Sequence, residues 1–201
     1  MRRFLALVGL AAICAGCTIE RAAEPQTAAS VAEHLRELGV RADRSLRISR
    51  AELEAVKGSG RGLPWLQVFD RSGVMIHEED GYTLGMGGRL ERSLERGTPV
   101  SPPRSLAEDS AKYETFDGEP VVLEPDGADF VFVDHWATWC APCKPHTRAL
   151  QQFISEHPEW KIDLVLVDWD EMAAGAAAAG GEKGEERGRS RGRGRVGSAH
   201  G

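Results

Sequence analysis

A chain of 201 residues holds one ordinary globular core with attachments and is too short for two full α/β domains. Hydrophobic residues make up 41% and charged residues 28%, as in a soluble globular chain, and a formal charge of −6 gives nucleic acid no electrostatic footing as the main partner.

Arg2 and Arg3 precede the apolar run "FLALVGLAAICAG", about the length of a signal-peptide hydrophobic region and short for a bilayer span. Residues 1–17 therefore read as an export signal. Ala15 and Gly16 before Cys17 resemble the lipobox of bacterial lipoproteins, although Cys14 stands where that pattern usually carries leucine. The resemblance implies lipid attachment at Cys17 and a place on the periplasmic face of a bacterial membrane; the alternative is a soluble secreted protein cut nearby. "CAGC" is also a C-x-x-C, but it lies in a targeting segment with no fold around it to tune a thiolate. Cys140 and Cys143 then remain as the only thiols, too few for a disulfide scaffold.

Residues 18–30 are small and polar, a tether. "SVAEHLRELGV" places Val31, Leu35 and Leu38 at helical spacing behind Ser30 as N-cap, and "SRAELEAVKG" predicts a second short helix with Leu53 and Val56. "WLQVFD" and "VMIHEE" flank the turn tripeptide "RSG" and predict a β-hairpin; "GGRLERSLERG" predicts an amphipathic helix ending at Gly97. Residues 98–112, with three prolines, read as a linker. Beyond it "EPVVLE" and "DFVFVDHW" are strand-like, "KPHTRALQQFISEH" is helical, and the nearly continuous apolar run of "KIDLVLVDWD" predicts a buried strand. Residues 172–201 are Gly/Arg-rich and predict disorder; their Arg-Gly repeats lack the aromatics that base stacking needs, so no nucleic-acid partner is expected.

"VDHWATWCAPCK", residues 133–144, carries the chemistry. A C-x-x-C between a buried strand and a helix puts the first cysteine where unpaired N–H groups stabilise a thiolate, and Pro142 is tolerated in a first turn that does not need its N–H. Cys140 is then the nucleophile, and Cys143 is placed to resolve the mixed disulfide. Zinc through Cys140, Cys143 and His146 lacks a second ligand pair, and haem attachment would need histidine where Lys144 stands, so no metal or other cofactor is expected. Lys144 and His146 either raise the local positive potential or are solvated residues on an exposed helix face.

The same stretch resembles the thioredoxin family almost position by position. The resemblance implies that Asp134, six residues before Cys140, assists proton transfer at the resolving cysteine, and that Trp136 and Trp139 flank the site and bind substrate. A carboxyl held among Val131, Phe132, Val133 and Trp136 suits that role, since an apolar interior disfavours its charged form. A lysine often found near that aspartate in the family is replaced within the run Leu164 to Val167.

After "KIDLVLVDWD" a thioredoxin continues to a cis-proline, a hairpin and a last helix, and this chain does not. Residues 49–82 resemble that missing portion, with Leu63 and Pro64 at the cis-proline position, where the family binds the substrate backbone. Either 31–97 is a degenerate unit followed by a truncated one at 113–171, or the two stretches join in one permuted fold with Pro64 facing Cys140. The joined fold is favoured because each half has an apolar face that needs a partner. The fold class expected is α/β, a thioredoxin-like three-layer fold with a central mixed sheet in permuted order. The expected activity is thiol–disulfide exchange on protein disulfide or dithiol substrates with an unidentified electron donor or acceptor. The rival is a non-catalytic thioredoxin-like binding module.

Overall fold

The computed structural model describes residues 27–56, 59 and 61–170. The signal segment with Cys14 and Cys17, most of the tether and the 172–201 tail lie outside the described residues. Among the described residues no helix is long and apolar enough to cross a membrane.

Helix α1 (Ala28–Leu38) is capped by Thr27, which accepts from the Ser30 N–H while Ser30 returns a bond to the Thr27 N–H. Ser30, expected as the N-cap, is thus the third helical residue of a capping box, because its hydroxyl can reach back one turn. Gly39, at φ 72, closes the helix in the left-handed conformation. Strand β1 (Arg44–Ile48) was not legible in the sequence: only Leu46 and Ile48 are buried, and arginines fill the positions around them. Helix α2 (Arg50–Val56), the hairpin β2 (Trp65–Asp70) and β3 (Met75–Asp80), and α3 (Met86–Arg96) with its Gly97 cap fall where the periodicity puts them. In the hairpin turn Asp70 Oδ1 accepts from the N–H groups of Ser72 and Val74.

The 98–112 stretch is more than a linker. Met75 N–H donates to the Arg104 carbonyl and Val100 N–H to the Met75 carbonyl, so the stretch runs beside β3, and it contains the short helix α4 (Leu106–Ser110). Ser105 and Glu108 form a second capping box there, and Leu106 is fully buried. "EPVVLE", expected as a strand, makes only an isolated bridge from Pro120 to Glu114. The adjacent strand is β4 (Tyr113–Glu114); in "EPVVLE" Leu123 is buried and Val122 exposed, and the Pro120 bridge is the segment's sole ladder contact among the described residues. The remaining elements are β5 (Phe130–Trp136), α5 (Cys143–Glu156) and β6 (Ile162–Asp168).

Among the described residues six strands form one mixed sheet in the order β3-β2-β5-β6-β1-β4. The parallel pair β5 and β6 lies between β2, which joins β5 antiparallel, and β1, which joins β6 in parallel. Strands from both halves of the sequence therefore interleave, and β1 and β2 never pair with each other. Leu66, Phe132, Val133, Val165 and Leu166 fill the shared centre at no exposure. Alternation along β5 divides the layers. Asp134 and Trp136 face α5 and α1, through Thr147 and the His34 ring, whereas His135 faces Gln67 and the α4 side. The architecture is α/β, a thioredoxin-like arrangement of helices on both faces of a mixed sheet.

Candidate active site

The loop from Ala137 to Pro142 leaves the end of β5 and enters α5. Cys140 and Cys143 are joined by a disulfide, with Cα atoms 5.3 Å apart. The Cys143 N–H, at the start of α5, donates at 3.2 Å to both the Cys140 carbonyl and Cys140 Sγ. Trp139 is 50% exposed beside the pair, while Cys140 itself is 3% exposed. The opposite end of the loop is held by Asp170, whose Oδ1 accepts from both the N–H and the hydroxyl of Thr138 at 2.8 and 2.9 Å. Asp168 in turn accepts the Asp170 N–H, and burial, with the Asp170 charge adding to it, pushes the Asp168 carboxyl up to about 8.

Trp136 stands differently from the expectation. At 2% exposure its ring stacks on His34 of α1, so it supports the loop from beneath and offers no surface to a substrate. The reason is strand parity: two residues on from Asp134, it points to the same covered face. Trp139 is the accessible tryptophan.

The Leu63–Pro64 bond is cis, as is Ser101–Pro102. Pro64 is buried and Leu63 half-buried. Because Trp65 lies opposite His135, Pro64 comes opposite Trp136, at the end of β5 where the cysteine loop begins. Its carbonyl accepts from Gly81 N–H at 2.7 Å, and the next residue, Tyr82, sets its ring edge-on to His146 of α5. The sheet thus brings Pro64, Tyr82 and the cysteine-bearing helix to one end.

Beneath the cysteines Asp134 is fully buried, its Oδ2 accepting from Thr147 Oγ1 at 3.1 Å. His146 Nε2 lies 3.2 Å from Asp134 Oδ1, not lined up as a hydrogen bond, and His146 is also fully buried. Lys144 is exposed, so the two residues left open in the sequence reading separate. The signal for His146 was present: Cys143, His146, Thr147, Leu150 and Phe153 form the buried stripe of α5 at spacings of three and four.

On the other face of β5 a polar network was missed. Trp169 Nε1 donates to His135 Nδ1 at 2.9 Å, so His135 carries its proton on Nε2 and donates to Gln67 Oε1 at 3.0 Å. Tyr113 donates to the same oxygen, and Gln67 Nε2 donates to Asp109, which Arg104 and Lys112 hold at the rim. Burial, and then the charges of Arg61, Lys112 and Arg104, hold the His135 imidazole well below its usual range and neutral. This network braces the strand that carries Asp134 and lies on the face away from the cysteines.

Residues 113–180 match the family model described as Thioredoxin. Thioredoxins of Staphylococcus aureus strains MW2 and COL are each 42% identical over 45 residues, which is 22% of this chain and 42% of the relative. The match thus spans less than half the length of these curated relatives, and no solved structure matches the chain. Over residues 113–180, which carry the cysteine pair at the head of α5 and the central strands β5 and β6, the chain is thus similar to the thioredoxin family.

Proposed function

We propose that the protein is a thiol–disulfide oxidoreductase acting on protein disulfides through Cys140 and Cys143. The observation that carries this reading is the Cys140–Cys143 bond at the start of α5, with Cys140 Sγ on the Cys143 N–H. In the reduced protein that N–H stabilises a Cys140 thiolate, which attacks one sulfur of a substrate disulfide and displaces the other as a thiolate. Cys143 then attacks Cys140 Sγ, closes the intramolecular disulfide and releases the second substrate sulfur. Asp134 takes the Cys143 proton, while Trp139 and the Leu63–Pro64 segment contact the substrate. An external dithiol returns the protein to its reduced form.

Reduction of insulin with dithiothreitol as electron donor tests the reading. Wild type should accelerate the reaction and Cys140→Ser should not. A wild type no faster than Cys140→Ser would favour the second reading, a non-catalytic thioredoxin-like binding module, for which the 3% exposure of Cys140 is the supporting observation. Residues 1–17 support the further proposal of a protein exported and held on the periplasmic face of a bacterial membrane through lipid on Cys17. Fractionation of Cys17→Ala tests that point, since each buried CH₂ of a lipid chain adds about 0.8 kcal/mol to membrane binding.

A further inference from the structure

The surroundings of Asp134 contain a group that the thiol–disulfide chemistry above does not yet use. In register with Asp134 stand Leu66 on β2 and Leu166 on β6, so neither neighbouring strand supplies a cation or a hydrogen-bond donor from its side chain. The polar contacts come from α5. Thr147 has one hydroxyl proton, and its oxygen lies 3.1 Å from Asp134 Oδ2 and 3.0 Å from the Cys143 carbonyl. His146 Nε2 lies 3.2 Å from Asp134 Oδ1, with both side chains at 0% exposure.

Neither ring nitrogen of His146 has a hydrogen-bond partner among the described residues, and Asp134 Oδ1 has none either. Buried polar groups left in this condition are costly, so three such atoms side by side call for an account. On its outer side His146 meets the Tyr82 ring, edge-on with centroids 5.9 Å apart, and Tyr82 is 37% exposed. The imidazole therefore lies between a sealed carboxyl and a side chain at the surface.

We propose that His146 is the proton partner of Asp134, accepting the proton that Asp134 takes from Cys143 and passing it out beside Tyr82. The inference rests on the thiol–disulfide reading. In the resolving step the Cys143 S–H proton goes to the Asp134 carboxylate, and the sulfur electron pair forms the bond to Cys140 Sγ. The bond from Cys140 to the substrate sulfur breaks, and its electron pair leaves with the substrate thiolate. The Cys143 sulfur is oxidised and the substrate sulfur reduced, while Cys140 stays at the disulfide level. Asp134, enclosed by Leu66 and Leu166, has no exposed edge from which to lose the proton, and His146 Nε2 lies within 3.2 Å of Oδ1 to take it. The groups facing this pair are Cys143 and Thr147 on α5, Tyr82 from the loop after β3, and the leucines of β2 and β6; Lys144 on α5 is exposed. His146 acts through Asp134 and is a positioning residue, not one that touches the reacting sulfurs.

The test follows release of thionitrobenzoate from its mixed disulfide with Cys140 across pH, in wild type, His146→Leu, His146→Gln, Asp134→Asn and the Asp134→Asn/His146→Leu double variant. Both His146 variants should slow release roughly tenfold near neutrality, below the range for a directly acting acid–base group, and should lose one ionisation from the pH–rate profile. The double variant should be no slower than Asp134→Asn alone, because the two residues form one path. An unchanged pH profile, or slowing that multiplies in the double variant, overturns the proposal. NMR titration of the His146 ring in reduced wild type and in Asp134→Asn gives a readout that needs neither turnover nor a His146 variant. The midpoint should move when Asp134 is replaced, and an unmoved midpoint overturns the pairing. If insulin is not reduced but the titrations remain coupled, the catalytic reading has failed and the pairing has not.

Discussion

Leu66→Ala tests whether the two halves of the sequence share one core. Leu66 is at 0% exposure in β2, opposite Asp134 of β5 on one side and Glu79 of β3 on the other. The substitution deletes three buried carbon groups, about 2.4 kcal/mol at ~0.8 kcal/mol each, and the unfilled space brings the expected loss to about 3–4 kcal/mol. At roughly 3 °C per kcal/mol for a domain of this size, Tm should fall by about 10 °C. Because β2 is hydrogen-bonded to the strand that leads into the cysteine loop, the loss should fall on the unit that contains Cys140 and Cys143. Urea unfolding of the reduced protein should be followed by far-UV circular dichroism and, in parallel, by alkylation of the two thiols. Both probes should shift to the same lower midpoint with an unchanged m-value. Cysteines that stay protected up to the wild-type midpoint while the dichroism signal falls early would mean that the β2–β3 hairpin unfolds separately, and the shared-core argument would be refuted.

Cys143→Ser should accumulate mixed disulfides between Cys140 and substrate, visible on non-reducing gels, since attack survives and resolution does not; absence of adducts counts against the assigned roles. Asp168 binds its proton more tightly folded than unfolded, so the stability it contributes is complete below the ordinary carboxylate range and is lost as pH rises towards about 8. Asp168→Asn keeps an acceptor for the Asp170 N–H and does not titrate, so its urea midpoint should fall less than that of wild type between about pH 5 and pH 8; equal falls would sink the assignment. Asp109→Ala should cost about 3 kcal/mol, the lower end for a broken buried pair because Arg104 and Lys112 remain partly solvated, and a loss within the error of urea titration would show that the Gln67 network does not brace the sheet.

The elements with strong local patterning were legible before any coordinates. Strands β2, β3, β5 and β6, helices α2, α3 and α5, the C-x-x-C and the proline before β2 all follow from period, turn chemistry and spacing, which depend on neighbours a few residues away. Strand β1 was hidden because two buried residues among arginines carry no usable alternation, and "EPVVLE" misled because apolar character without a partner strand does not make a ladder. Trp136 and His146 were ambiguous for a related reason. Which face a side chain takes is fixed by what packs on it, and α1 covers one while α5 turns the other inward. Local sequence thus determined the dithiol and the strand and helix that hold it. Only the tertiary structure decided that β1 and β2 flank that unit from both sides, through contacts between residues 60 to more than 120 positions apart whose pairing no local rule specifies, and that the packing of α5 on β5 sets a buried histidine against Asp134.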